Sequence, residues 1–174
     1  LGPTEQSILD NTIFKRARCL DSIQDKFETL NEIMKLKKPA PYKLFYCGSG
    51  SQTSDEEVPG DIADSIKNID KITKILHKNG WDISKFTSEE SHKKRKTVIK
   101  TFKNKTIHGI AAIKVLDEGF DIPMCDEAYI TASSSSERQW VQRRGRILRI
   151  SKNKDRAKVH DFVITKTSRP LDFK

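Results

Sequence analysis

Cysteine is scarce in this chain, and the little there is does not pair. Cys19, Cys47 and Cys125 are widely spaced, sit in mostly apolar contexts and form no C-x-x-C. That excludes a disulfide frame and fits the reduced thiols of a cytoplasmic protein. His77, His92, His108 and His160 show no metal-ligand spacing, so no metal site is expected. No apolar run is long enough to cross a bilayer and no secretory leader is evident, so no membrane partner is expected. Aromatic residues make up only 7%, too few to suggest a stacking platform for single strands. No glycine is followed by lysine, so the phosphate loop G-x-x-x-x-G-K-[ST] is absent. The chain opens Leu1-Gly2-Pro3 rather than with methionine, as an excised fragment would.

What is abundant is positive charge. Lys and Arg number 33 against 24 Asp and Glu, a net charge of +9 over 174 residues. Such an excess favours polyanions, nucleic acid first. With 35% hydrophobic residues, the chain can still bury one real core. The sharpest feature is Gln142-Arg143-Arg144-Gly145-Arg146-Ile147-Leu148-Arg149. Four guanidinium groups within about two helical turns repel one another unless an anion is near. Their planar forks suit phosphate oxygens better than lysine would. Trp140, Val141, Ile147, Leu148 and Ile150 flank them, so the segment should be partly buried and its arginines held in fixed directions.

Periodicity supplies the frame. Apolar residues from Ile8 to Met34 recur at three- and four-residue steps, predicting a helix over 5–37, stopped by Pro39 and Pro41. Lys43–Cys47 reads as a buried strand and 51–61 as a polar surface loop. Ile66, Ile69, Ile72, Ile75 and Leu76 predict a helix with Gly80 as its left-handed cap. A strand over Trp81–Phe86 follows. Thr87 and Glu90 have capping-box spacing and would open a helix through Phe102. Further strands are expected over Ile107–Val115, Ala128–Ala132 and Val159–Ile164. Strands alternating with helices predict an α/β fold, a parallel sheet flanked by helices on both faces, with ligands bound beyond the carboxyl ends of its strands. Lys93, Lys94, Arg95, Lys96, Lys100, Lys103 and Lys105 read as the solvated face of a helix whose other side carries Val98, Ile99 and Phe102. Phosphate tracking or nuclear localisation is the alternative.

A second chemical segment, Glu118-Gly119-Phe120-Asp121-Ile122-Pro123, reads as a turn after a strand. Gly119 would let backbone approach a ligand, and Asp121 could accept from a ribose hydroxyl. Three segments in order then resemble the C-terminal RecA-like lobe of superfamily 2 helicases and translocases. Lys43–Gly50 resembles motif IV, Ala111–Pro123 motif V, and Gln139–Arg149 motif VI, over a span of roughly residues 40–165. Ile113-Lys114 and the serine run Ser133–Ser136 resemble the bacterial and phage DNA-acting branch that includes restriction-type translocases. RNA helicases of the DEAD-box kind usually have Ala-Thr-Asp where this chain has Ala112-Ile113-Lys114. Asp126-Glu127-Ala128-Tyr129 looks like a DEAD box, but it lies between motifs V and VI, so it reads as coincidence.

The resemblance implies a RecA-like domain over 40–174, preceded over 1–39 by a helical extension that either connects two lobes or packs on this one. It implies that Arg146 and Arg149 are arginine fingers and that Gln142 touches the γ-phosphate region or a neighbouring motif. Glu118, Gly119 and Asp121 would meet the nucleotide, and Gly48, Ser49 and Lys114 the nucleic-acid phosphates. ATP and Mg²⁺ would be bound mainly by an N-terminal lobe absent from this chain, which alone should be inactive. The partners implied are that lobe and DNA, with RNA the weaker choice. A non-enzymatic nucleic-acid-binding or docking module of RecA-like shape is the alternative.

Overall fold

Every residue of Leu44-Phe45-Tyr46-Cys47 is apolar or aromatic, so a strand made of them must be covered on both faces. The computed structural model covers it so. It describes residues 12, 23–47, 61–87, 90–113, 124–131, 141, 145, 147–149, 151 and 154–164. Their elements are α1 (Asp25–Leu36), β1 (Lys43–Cys47), α2 (Asp61–Lys78), β2 (Ile83–Phe86), α3 (His92–Lys103), β3 (Gly109–Ile113), β4 (Glu127–Ile130) and β5 (Lys158–Asp161). The five strands form one sheet in the order β2-β3-β1-β4-β5, every pair parallel. The α/β expectation therefore holds: this is a RecA-like parallel sheet with helices on both sides.

Side chains alternate across the sheet and build two cores. Leu44, Tyr46, Ile110, Ala112, Ala128 and Ile130 face one side, where Val98 and Phe102 of α3 and also Ile147 pack. Phe45, Cys47, Ala111 and Tyr129 face the other, against Ile69, Ile72 and Leu76 of α2 and Phe27, Leu30 and Met34 of α1. So α1 closes the same core as α2. Phe45 stacks on Tyr129 at 4.9 Å between ring centroids and meets Trp81 edge-on at 6.3 Å.

Two glycines are fixed by geometry. Gly80 has φ +79° and ends α2, its N–H donating to His77 O while the Trp81 N–H donates to Leu76 O. That is a Schellman cap, completed by Trp81 packing into the core that holds Leu76. Gly109 opens β3 where β1 passes closest. A Cβ there would lie 2.6 Å from the Lys43 carbonyl oxygen and 2.9 Å from Ile83 Cδ1.

Several predicted boundaries move. α1 starts at Asp25, after Ile23 and Gln24; residues 5–11 and 13–22 of the expected helix lie outside the described residues. Asp25 and Glu28 in its first turn suit the positive end of the helix dipole, a signal hydrophobic period does not register. Asp61, placed in the polar loop, is the first residue of α2. Thr87 does not open α3. Glu90 accepts from the Thr87 N–H and hydroxyl, closing a local loop, and Ser91 caps the helix by accepting from Lys94 N at 3.3 Å. β3 is shorter than Ile107–Val115, since Ile107 turns into the core and the His108 N–H goes to Asp82 O; Lys114 and Val115 lie outside the described residues. β5 stops at Asp161 because its neighbour β4 ends at Ile130, whose carbonyl takes the last bond, from Phe162 N.

Candidate functional site

The parallel register gathers the carboxyl ends of the central strands. Cys47 is the Cα partner of Ile113, Tyr46 of Ile130, and Phe86 of Ala112. The chain leaves β1 towards β2 on one flank, whereas it leaves β3 and β4 towards the other. The reversal centres on β1, the place where open α/β sheets bind ligands. Gly48 and Lys114 are the next residues of the chain after the paired Cys47 and Ile113. Thr131, which sequence reasoning did not single out, fastens this rim: its N–H and its hydroxyl both donate to Tyr46 O at 3.0 Å. A threonine just past a strand end was the only hint.

Gly48, Ser49, Lys114, Glu118, Gly119, Asp121, Gln142 and Arg146 all lie outside the described residues. Arg149 is described, and it is exposed. Its support is well defined. Ile147 is 2% exposed and belongs to the core beneath β1, β3 and β4, while Leu148 beside it is 54% exposed. Lys154 Nζ then donates to Ile147 O at 2.7 Å and to Cys125 O at 3.0 Å. A turn in which Lys154 N bonds Ser151 O brings that lysine back. Thus one buried apolar side chain and one lysine clamp fix the end of the arginine segment.

Cys125 lies two residues before β4, at the amino ends of the strands. The end of the arginine segment therefore sits by that edge. The carboxyl rim at Ile130 is about 16 Å from Cys125, five residues further along the chain. The main chain at Ile147 does not share the rim with the strand ends that precede Gly48 and Lys114. The general rule locates a ligand held by this sheet itself, and it does not constrain side chains that reach a ligand held elsewhere.

The same amino-end edge holds a buried charge cluster. Glu127, first residue of β4, is 7% exposed. It takes hydrogen bonds from Lys37, just past α1, and from His160 Nε2 of β5 at 2.8 Å, with Lys43 Nζ 3.4 Å away. Lys43 also bonds Asp126 Oδ1 at 2.8 Å. Burial alone would raise the Glu127 carboxyl, but the bonds from Lys37 and His160 and the Lys37 charge outweigh it and bring it down to about 2. Burial, with the Glu127 charge added, pushes the Tyr129 phenol well above its usual range. Burial and then Asp126 push the Cys125 thiol up to about 12. Asp126 and Glu127 are thus occupied by lysines at the edge opposite the rim. Their role is to join α1, β1, β4 and β5.

Residues 61–151, just over half of the chain, match the helicase conserved C-terminal domain family. The chain belongs to that family. A protein named "Putative helicase 22" from Sulfolobus islandicus filamentous virus (isolate Iceland/Hveragerdi) is 28% identical over 113 residues, covering 59% of this chain and 20% of that protein. This helicase domain thus spans about a fifth of the length of that relative. Among solved structures, the C-terminal domain of the DEAD-box protein Dbp5 matches with a TM-score of 0.60 and 18% identity, covering 83% of this chain and 72% of that one. S. cerevisiae Dbp5 bound to RNA and ADP BeF3 matches at 0.57 and 18%, covering 82% and 33%. At such identities the likeness is one of fold, and the fold is the one those helicase C-terminal domains share.

Proposed function

We propose that this chain is the C-terminal lobe of an ATP-dependent DNA helicase or translocase and that Arg146 and Arg149 reach ATP bound, with Mg²⁺, on an N-terminal lobe. The observation carrying this reading is the clamp at Ile147: a buried side chain beneath a segment whose Arg149 is exposed. Gly145 adds to it. It is helical and exposed, and a Cβ there would meet nothing within 4 Å, so packing within this lobe does not require glycine. A helix gives up about 1 kcal/mol for a glycine, which suits a surface that another body approaches closely.

Arginine fits the task because negative charge spreads over the γ-phosphoryl oxygens in the transition state, and a guanidinium keeps direction and charge together. Gln142 would bear on the same region, Glu118, Gly119 and Asp121 on the nucleotide, and Gly48, Ser49 and Lys114 on the nucleic-acid backbone. The last three follow, or come one residue after, strand ends that β1 and β3 place side by side. The DNA-acting, restriction-type branch is favoured by Ile113-Lys114 in motif V. The RNA in the Dbp5 complex favours RNA as the second reading.

The test is to join this chain to its N-terminal lobe and replace Arg149 by Ala. Nucleic-acid-stimulated ATP hydrolysis should fall by roughly 10³-fold or more. Hydrolysis at near the parent rate would overturn the finger assignment. Stimulation of the parent protein by DNA and by RNA of one sequence decides the substrate.

A further inference from the structure

A strongly charged surface remains that the arginine reading does not use. On α3, Lys93, Lys96, Lys100 and Lys103 are all exposed. Their spacing of three, four and three residues puts them along one stripe of the helix, over about 15 Å. Val98 and Phe102 on the opposite side are buried in the core. The helix carries no acidic residue in its first turn, where Lys93 and Lys94 stand instead. Cations there oppose the helix dipole, and like charges three and four residues apart repel. Lys94 has Glu90 at 3.8 Å, but among the described residues no ion pair forms to the other four. The arrangement is locally unfavourable, and a bound polyanion relieves it.

We infer that the α3 lysine stripe is a second binding surface, one that takes the phosphate backbone of nucleic acid without regard to sequence. The chemistry of the stripe selects this partner over others. A protein partner would need an apolar centre to its interface. Among the described residues the exposed large hydrophobics are Leu36, Val141, Leu148, Val163 and Ile164, none of them on α3. An anionic membrane would want an apolar face, and that of α3 is spent in the core. What remains is a row of ammonium groups rising by about 4.5, 6 and 4.5 Å, which suits a regular line of phosphates. The stripe starts just after β2, at the carboxyl rim, and runs down the outside of the sheet, so it lengthens the path available to a strand beyond the rim.

The molecule contains its own control. On α2, Lys67, Lys71, Lys74 and Lys78 are also exposed and also aligned. That helix includes Asp61, Asp64 and Asp70, and Asp70 pairs with Lys85. Lys71 lies over the Phe27 ring at 5.3 Å.

The experiment uses this chain without nucleotide, so its outcome is separate from the finger assignment. Binding to a fluorescent DNA duplex is followed by anisotropy against salt. For duplex DNA the slope of log K on log salt is about −0.9 per phosphate contact. Changing Lys93, Lys96, Lys100 and Lys103 to Gln should flatten that slope by about 3 to 4, whereas changing all four to Arg should preserve binding. The four Gln changes on α2 should leave slope and affinity close to the parent's. The inference fails if the α3 variant binds like the parent, or if the α2 variant loses as much. It also fails if polyglutamate binds with the same salt slope as DNA, since the surface would then read charge on a protein.

Discussion

Replacing Glu127 by Gln tests the charge cluster at the amino ends of the strands. The folded protein holds this carboxyl at about 2 against an ordinary 4.5. A folded-state value below the unfolded one means that the stabilisation is complete above pH 4.5 and disappears as pH falls towards 2. The difference is worth about 3 kcal/mol at pH 7, and about 1 kcal/mol at pH 3. Gln keeps the volume and leaves Lys37, Lys43 and His160 facing a neutral amide, so the parent should exceed Glu127→Gln by about 3 kcal/mol at neutral pH. The two proteins are unfolded in urea at pH 7, 5 and 3, and their difference is plotted. Other carboxylates titrate in both and cancel. The gap should hold from pH 7 to 5 and shrink by more than half at pH 3. A gap that is the same at all three pH values would show that the loss is packing, and that the lysines and His160 do not hold the carboxylate as described.

Gly109→Ala should destabilise by about 1–3 kcal/mol, read as a lower urea midpoint, because the new Cβ would press on the Lys43 carbonyl of the neighbouring strand. A midpoint equal to the parent's would mean that β1 and β3 separate there at no cost. With its thiol at about 12, Cys125 is almost wholly protonated at pH 8. In a variant keeping it as the sole cysteine, a thiol reagent should label it only as fast as the domain unfolds, and rapid labelling of the folded protein would contradict its burial.

How much of this was legible in the sequence depended on how local the cause was. β1 was read with its boundaries because four consecutive apolar residues between polar turns have few other uses. The end of α2 was read because Gly80 alone determines it. The start of α3 was misplaced: Thr87 and Glu90 do bond, but Ser91 one residue later offers a better cap. Glu127 was seen only as part of a chance likeness to a DEAD box. Its partners Lys37, Lys43 and His160 are far away in sequence and meet only through the parallel register of β1, β4 and β5. The arginine cluster was conspicuous by composition. The edge of the sheet by which its end at Ile147 sits was not, because that depends on Ile147 finding the core and on Lys154 turning back to hold its carbonyl.

The strand order has a consequence for how the molecule comes into being. Among the described strands β1, the middle of the sheet, is made first, and its first neighbour, β3, begins at Gly109. During synthesis this apolar strand therefore waits, both edges bare, for roughly 3 to 13 s at ordinary elongation rates. α1, already emerged and carrying Phe27, Leu30 and Met34, is first at hand to shelter it, and Ile69, Ile72 and Leu76 of α2 follow on the same face. The leading helix thus becomes an escort for a nascent strand that would otherwise be free to pair with the wrong chain.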